Sequence, residues 1–258
     1  MHMKAGMTEL EIKKEIQRLA PFHHNVELPY GLRTHIPELS RRGVERTRVS
    51  NLVKHLWPSL LQACGGSLRG LRVLDVACNC GGFSFEAARS GADHVLGIDI
   101  TEHYIEQANF IKRALELEQV EFTKTAVEDL DSETSRFDVT FCFGILYHLE
   151  NPLQVMKKLA SITNRVMAVD TELFPTFLTQ RPLWLMNFMT PPTSQARDIT
   201  TSRWRTERVC QFRPNAKAVE ELLKYLGFST VTKLNPWGKA LEKRYYVGRR
   251  AAFLAVKR

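Results

Sequence analysis

The sequence predicts an α/β protein with a doubly wound, Rossmann-like sheet, and three observations predict it. From residue 72 onward, short apolar runs alternate with amphipathic helical segments. The runs, such as R-V-L-D-V-A and V-L-G-I-D-I, are continuously apolar rather than alternating, as in parallel strands covered on both faces. A turn of small residues, A-C-N-C-G-G, joins the first run to a helix.

The elements follow in order. Residues 8–19 place Leu10, Ile12, Ile16 and Leu19 near one helical face, and Thr8 with Glu11 forms a capping box. A stretch rich in Pro, Gly and His runs from Pro21 to Pro37, and a second helix is expected over about Val44 to Leu61. Strands are expected at Arg72–Ala77, Val95–Ile100, Val120–Thr125, Val139–Phe143 and Val166–Val169, with helices at Phe83–Ser90, Glu102–Leu117 and Pro152–Ile162 between them. Pro214 is expected to open a late helix that Gly227 stops, before strands at Ser229–Leu234 and Ala251–Val256. Phe174 to Phe212 carries Phe177, Trp184, Phe188 and Trp204 without a clean period; so long a connection is usually functional, and it reads as a cap. The expected organisation is a helical segment over 1–66 that covers the site and a main domain over 67–258, with 174–213 as substrate cap.

The chain of 258 residues can bury a full core without disulfides or a structural metal. No run approaches the roughly 20 apolar residues of a membrane span. The opening M-H-M-K-A-G-M-T-E-L lacks an apolar signal core, so the expected location is cytoplasmic. Five cysteines, odd in number and without C-x-x-C spacing, read as reduced thiols, and no metal is expected. The net charge of +8 divides unevenly. Residues 1–70 hold 11 Lys+Arg against 6 Asp+Glu, residues 71–170 hold 9 against 16, and residues 171–258 hold 16 against 6. An acidic centre suits a cationic cofactor and a basic end suits an anionic partner; solvated charged faces would give the same division.

The turn carries the chemistry. A ligand beyond the carboxyl ends of parallel strands needs close backbone approach, which Ala77, Asn79 and Gly81 allow. Asp99, eighteen residues after Gly81, ends the second strand, where a carboxylate accepts from both hydroxyls of a ribose; Ile100 offers an apolar face to a purine. A dinucleotide site asks for G-x-G-x-x-G, but the first two glycine positions are Ala77 and Asn79. Asp75 would repel a diphosphate and attract an ammonium, which favours S-adenosylmethionine over NAD.

V-L-D-V-A-C-N-C-G-G, G-I-D-I, A-V-E-D-L and F-D-V-T-F-C-F-G-I-L-Y-H-L together resemble the motif series of class I S-adenosylmethionine methyltransferases. Within that group, G-I-L-Y-H-L-E-N-P-L, F-R-P-N-A-K-A-V-E-E-L-L-K-Y-L-G-F and R-R-A-A-F-L-A-V-K-R look most like the tRNA wobble-uridine carboxymethyltransferase-like subgroup. The resemblance covers about residues 21–258. It implies a seven-stranded sheet of order 3-2-1-4-5-7-6 with the last strand antiparallel, adenine contacts from Val127 and Glu128, and Phe143 and Tyr147 beside the methionine half of the cofactor. The subgroup's tRNA enzymes use a carboxylated cofactor and carry a lysine before G-P-F. Here the region reads L-A-P-F, with Leu19 in the lysine's place, although Tyr147 and Arg250 match the subgroup. F-H-H-N-V-E-L-P-Y-G-L-R-T resembles the lead segment of relatives that act on small molecules.

The expected cofactor set is therefore Arg33, Asp75, Ala77, Asn79, Gly81, Asp99, Ile100, Val127, Glu128, Phe143 and Tyr147. A nucleophile in line with an activated methyl needs positioning and, where it must lose a proton, a base. His148 and Glu172, directly after the fourth and fifth strands, are the expected catalytic residues; His148 has the better pKa for a base, and Glu172 could instead orient the substrate. Expected substrate contacts are His24, Trp184, Arg203, Arg205 and Arg250. The expected function is methyl transfer from S-adenosylmethionine to a small molecule with an apolar body and a polar or anionic end. The alternative is a tRNA wobble-uridine enzyme, with RNA ranked behind the small molecule because no appended RNA-binding module is present. A non-enzymatic cofactor-binding scaffold is disfavoured by Asp75, Gly81 and Asp99. A homodimer is compatible with the sequence.

Overall fold

The computed structural model describes residues 6–35, 48–131, 136–174, 181–189, 209–234 and 243–258. The strands are β1 (Arg72–Val76), β2 (His94–Asp99), β3 (Val120–Lys124), β4 (Phe137–Phe143), β5 (Thr163–Glu172), β6 (Trp184–Met189), β7 (Val209–Pro214), β8 (Thr230–Leu234) and β9 (Arg250–Val256). The helices are α1 (Glu9–Leu19), α2 (Arg48–Ala63), α3 (Gly82–Arg89), α4 (Glu102–Leu115), α5 (Pro152–Ile162), α6 (Ala216–Tyr225) and the single-turn α7 (Lys243–Tyr246).

Seven strands form one sheet in the order β3-β2-β1-β4-β5-β9-β8. The first five are parallel, and β9 runs antiparallel to both β5 and β8. With the separate β6–β7 hairpin left out of the count, this is the order expected from the sequence.

Successive strand residues feed opposite layers, as the period of two requires. Val73, Val139, Phe141, Val166 and Leu254 pack with Ile12, Leu56, Phe85 and Phe110 on one face of the sheet. Leu74, Val76, Cys142, Val169 and Phe253 pack with Met156, Leu159, Val219 and Leu223 on the other. Each fully buried large side chain stabilises the fold by about 1.5–3 kcal/mol relative to exposure. The lead helix α1 joins the first layer through Ile12, Ile16 and Leu19, and its capping box is formed: Thr8 and Glu11 bond each other's backbone N–H.

The structure departs from the sequence reading in three places. The long connection contains a hairpin, with β6 antiparallel to β7 from Trp184↔Pro214 to Met189↔Val209. Leu185, Met186 and Phe188 of β6 are all exposed, so neither face is buried and no period of two marks the strand. Pro214 ends β7 instead of opening the late helix; the cap is Asn215, whose Oδ1 accepts from the Ala218 N–H at 2.8 Å. The strand β5 is longer than expected and carries its carboxyl end to Glu172. The expected start of the second helix at 44–47 lies outside the described residues; α2 is described over Arg48–Ala63.

Candidate active site

The carboxyl ends of β1, β2, β4 and β5 share one edge of the sheet, where open α/β sheets bind ligands. The loop after β1 is bent by left-handed backbone at Ala77 (φ 55°), Asn79 (φ 53°) and Gly81 (φ 80°). For alanine and asparagine that conformation costs about 1–2 kcal/mol. Asn79 offsets it locally, since its Oδ1 accepts from the Cys80 N–H at 2.8 Å. At Gly81 a Cβ would also lie 2.5 Å from the Phe122 ring, so glycine is required twice over.

Asp99 ends β2 and receives this loop. Its Oδ2 accepts from the Asn79 N–H at 3.0 Å and its Oδ1 from the Thr101 N–H at 2.9 Å. Burial raises the Asp99 pKa above 3.8, while backbone and hydroxyl donors of Thr101, Asn79 and Ile100 pull it back. Asp75 is 1% exposed and accepts from the Ser84 hydroxyl at 2.6 Å. Burial first, then the nearby Asp75 and Asp99 carboxylates, pushes the Cys78 thiol well above its usual range. Two desolvated carboxylates thus flank one tightly bent loop. That acceptor set fits a cofactor with ribose hydroxyls and a cationic end, and it is hostile to a diphosphate.

The remaining expected cofactor residues lie around this edge or apart from it. Ile100 is half-buried, next to Asp99. Val127 is buried and Glu128 exposed in the helical turn Val127–Asp129, which Lys158 braces by donating to the Glu128 carbonyl at 2.5 Å. Phe143 ends β4 and packs on Phe83 with ring centroids 4.7 Å apart; Tyr147 is buried in the turn Leu146–His148. Arg33 is exposed, 3.7 Å from Glu27.

His148 is half-buried, its ring centroid 4.1 Å from that of Tyr147 and its Nδ1 3.4 Å from Gln211 Nε2 on β7. Glu172 takes Arg244 Nη1 at 2.6 Å and Arg213 Nη2 at 3.3 Å, and so ties α7 and the hairpin to the end of β5. Trp184 is half-buried at the start of β6, against the second core layer. His24 is buried with its Nδ1 on the Gly82 N–H at 3.0 Å. Arg250 is 4% exposed and forms a buried ion pair with Asp170, whose Oδ1 also accepts from the Tyr245 hydroxyl at 2.7 Å. Asp170 holds that guanidinium well above its ordinary pKa against the opposing effect of burial. Arg203 and Arg205 lie outside the described residues. Leu19, in the place of the subgroup's lysine, is core: it is 1% exposed, and its carbonyl accepts from Gln107 at 2.6 Å.

Sequence reasoning missed Asp170, Tyr245, Gln211, Arg213 and Arg244. Asp170 had a signal, because it closes the apolar run V-M-A-V-D as Asp75 and Asp99 close theirs.

Comparison with known proteins adds the following. Residues 67–174 match the family model described as a methyltransferase domain. The tRNA U34 carboxymethyltransferase of Alcanivorax borkumensis is 37% identical over 93 residues, 36% of this chain and 29% of that protein. The ubiquinone biosynthesis O-methyltransferase of Neisseria meningitidis is 35% identical over 96 residues, 37% of this chain and 40% of that protein. The chain thus aligns with only 29% to 40% of these relatives' length. Among solved structures, the N-terminal domain of EvdMO1 with SAH bound superposes with a TM-score of 0.70 at 20% identity, covering 98% of both chains. Magnesium protoporphyrin IX methyltransferase from Synechocystis PCC 6803 with bound SAH gives a TM-score of 0.53 at 20% identity over 82% of both chains. Residues 67–174 thus resemble a methyltransferase domain, and the chain shares the fold of these S-adenosylhomocysteine-bound proteins.

Proposed function

We propose that this chain, built on that domain, transfers a methyl group from S-adenosylmethionine to a small molecule with an apolar body and a polar or anionic end, in the cytoplasm. The observation that carries the reading is the desolvated Asp99 carboxylate at the end of β2, bonded to the bent loop that Ala77, Asn79 and Gly81 form. SAH-bound neighbours of the same fold support the cofactor.

When bound, S-adenosylmethionine supplies a sulfonium-activated methyl group. Asp99 would accept from the ribose hydroxyls, Val127, Glu128 and Ile100 would hold the adenine, and Phe143 and Tyr147 would lie beside the methionine half. His148 takes the acceptor's proton, a contribution of about 10²–10⁴-fold. Glu172, held by Arg213 and Arg244, orients the substrate side of the site instead. The described part of the lead segment would cover the cofactor and the β6–β7 hairpin would cap the acceptor, with Trp184 on the apolar body. His148→Gln is then expected to lower kcat about 10²–10⁴-fold with the cofactor affinity unchanged.

A second reading, modification of a tRNA wobble uridine, is favoured by the curated relatives and by the basic ends of the chain. The test is incubation of the purified protein with methyl-labelled cofactor and, in separate reactions, a metabolite extract and total tRNA. Label in small molecules is expected. Label confined to tRNA overturns the small-molecule reading, and no transfer to either overturns the activity.

A further inference from the structure

The helix α3 begins where the candidate cofactor loop ends, and its N-cap, Gly81, has no side chain with which to satisfy the first N–H groups. The acceptor arrives from 58 residues away. His24 Nδ1 accepts from the Gly82 N–H at 3.0 Å in a site where the histidine is 5% exposed. The ring stands edge-on to Phe83, centroids 5.5 Å apart at 73°. Its approach requires glycine at 82, where a Cβ would lie 2.7 Å from Nδ1. The backbone of His24 is gripped as well: its N–H donates to Cys80 Sγ at 3.2 Å and its carbonyl accepts from Thr34 Oγ1 at 2.7 Å. One residue of the lead segment thus holds the loop on both sides of Gly81, at Cys80 and at Gly82.

We propose that His24 is a positioning residue for the cofactor loop, so that docking of the lead segment and cofactor affinity are one coupled event. The inference rests on the reading of the Ala77–Gly81 loop as the cofactor site, and it gives His24 a role on that loop and not on the acceptor. A neutral imidazole in place of a capping Asp satisfies the helix donor without adding a negative charge beside Asp75 and Asp99. The ordered loop keeps the Asn79 N–H on Asp99, so a free Gly82 N–H relaxes the segment that carries the carboxylate's partner.

The test uses the full chain with S-adenosylhomocysteine as probe, and compares wild type, His24→Leu and His24→Asn. Asparagine places Oδ1 where the histidine has Nδ1. Calorimetry gives the affinity, and hydrogen exchange of the Gly82 amide reports the cap. His24→Leu is expected to bind about tenfold more weakly, with faster Gly82 exchange. His24→Asn is expected to recover most of both, which bulk packing of an imidazole would not do. Unchanged affinity in His24→Leu, or equal losses in the two variants, overturns the proposal while leaving the cofactor reading intact. A wild type that does not bind S-adenosylhomocysteine overturns both. If His24→Leu does not fold, His24→Asn alone decides: slow Gly82 exchange with near-wild-type affinity supports the cap, and fast exchange with near-wild-type affinity overturns it.

Discussion

At the residue scale, Asp99 stands between two opposing influences, burial that raises its pKa and N–H donors that lower it, and burial is the larger. The sign follows from proton counting. With the folded pKa above 3.8, the empty folded protein holds the proton more tightly than the unfolded chain, so stability declines as pH rises from that value through the folded pKa. Ribose hydroxyls would donate to the ionised form and reverse the preference, so cofactor binding near the raised pKa is expected to release a proton. Affinity for S-adenosylhomocysteine is expected to strengthen with pH above 3.8 and to level off once Asp99 is fully ionised in the free protein. Calorimetry across acidic pH checks this, with Asp99→Asn as reference. An identical pH slope in that variant removes Asp99 from the site.

At the element scale, the parts that build the site are fixed by close approach and by one buried ion pair. Gly97 on β2 faces Phe122 on β3, and a Cβ there would lie 2.6 Å from the ring, which also covers Gly81. Gly97→Ala is expected to cost about 1–3 kcal/mol, and Phe122→Leu in the same chain to recover part of it. Denaturant midpoints of the single and double variants measure both; additive losses would mean that the ring is not what the new methyl meets. Asp170 on β5 and Arg250 on β9 are 0% and 4% exposed, so Asp170→Asn leaves a guanidinium buried without its counter-charge. The expected loss is about 3–5 kcal/mol, read from thermal or urea unfolding. A loss below about 1 kcal/mol would show that Tyr245 and water suffice for Arg250.

At the scale of the whole molecule, the sheet was legible because buried parallel strands write themselves as continuous apolar runs, and Asp75 and Asp99 stand out within them. The hairpin was not, because exposed Leu185, Met186 and Phe188 give β6 no buried face to mark it. The pairings of His24 with Gly82 and of Arg250 with Asp170 were not legible either. The partners lie 58 and 80 residues away, and pairings at that separation leave no local pattern. The charge division was legible without its meaning. If the basic ends bind RNA only through counterion release, tRNA affinity falls steeply with salt and is weak at physiological ionic strength; tight binding that survives salt would favour the tRNA reading.

The central claim is that the edge formed by the first two strands holds S-adenosylmethionine, and its most direct test is calorimetric titration of S-adenosylhomocysteine into wild type and Asp99→Ala. Saturable binding is expected in the wild type, with the variant weaker by about 1.5–3 kcal/mol, the worth of hydrogen bonds to a charged acceptor. Equal affinity in the two proteins, or no binding by the wild type, would contradict the claim.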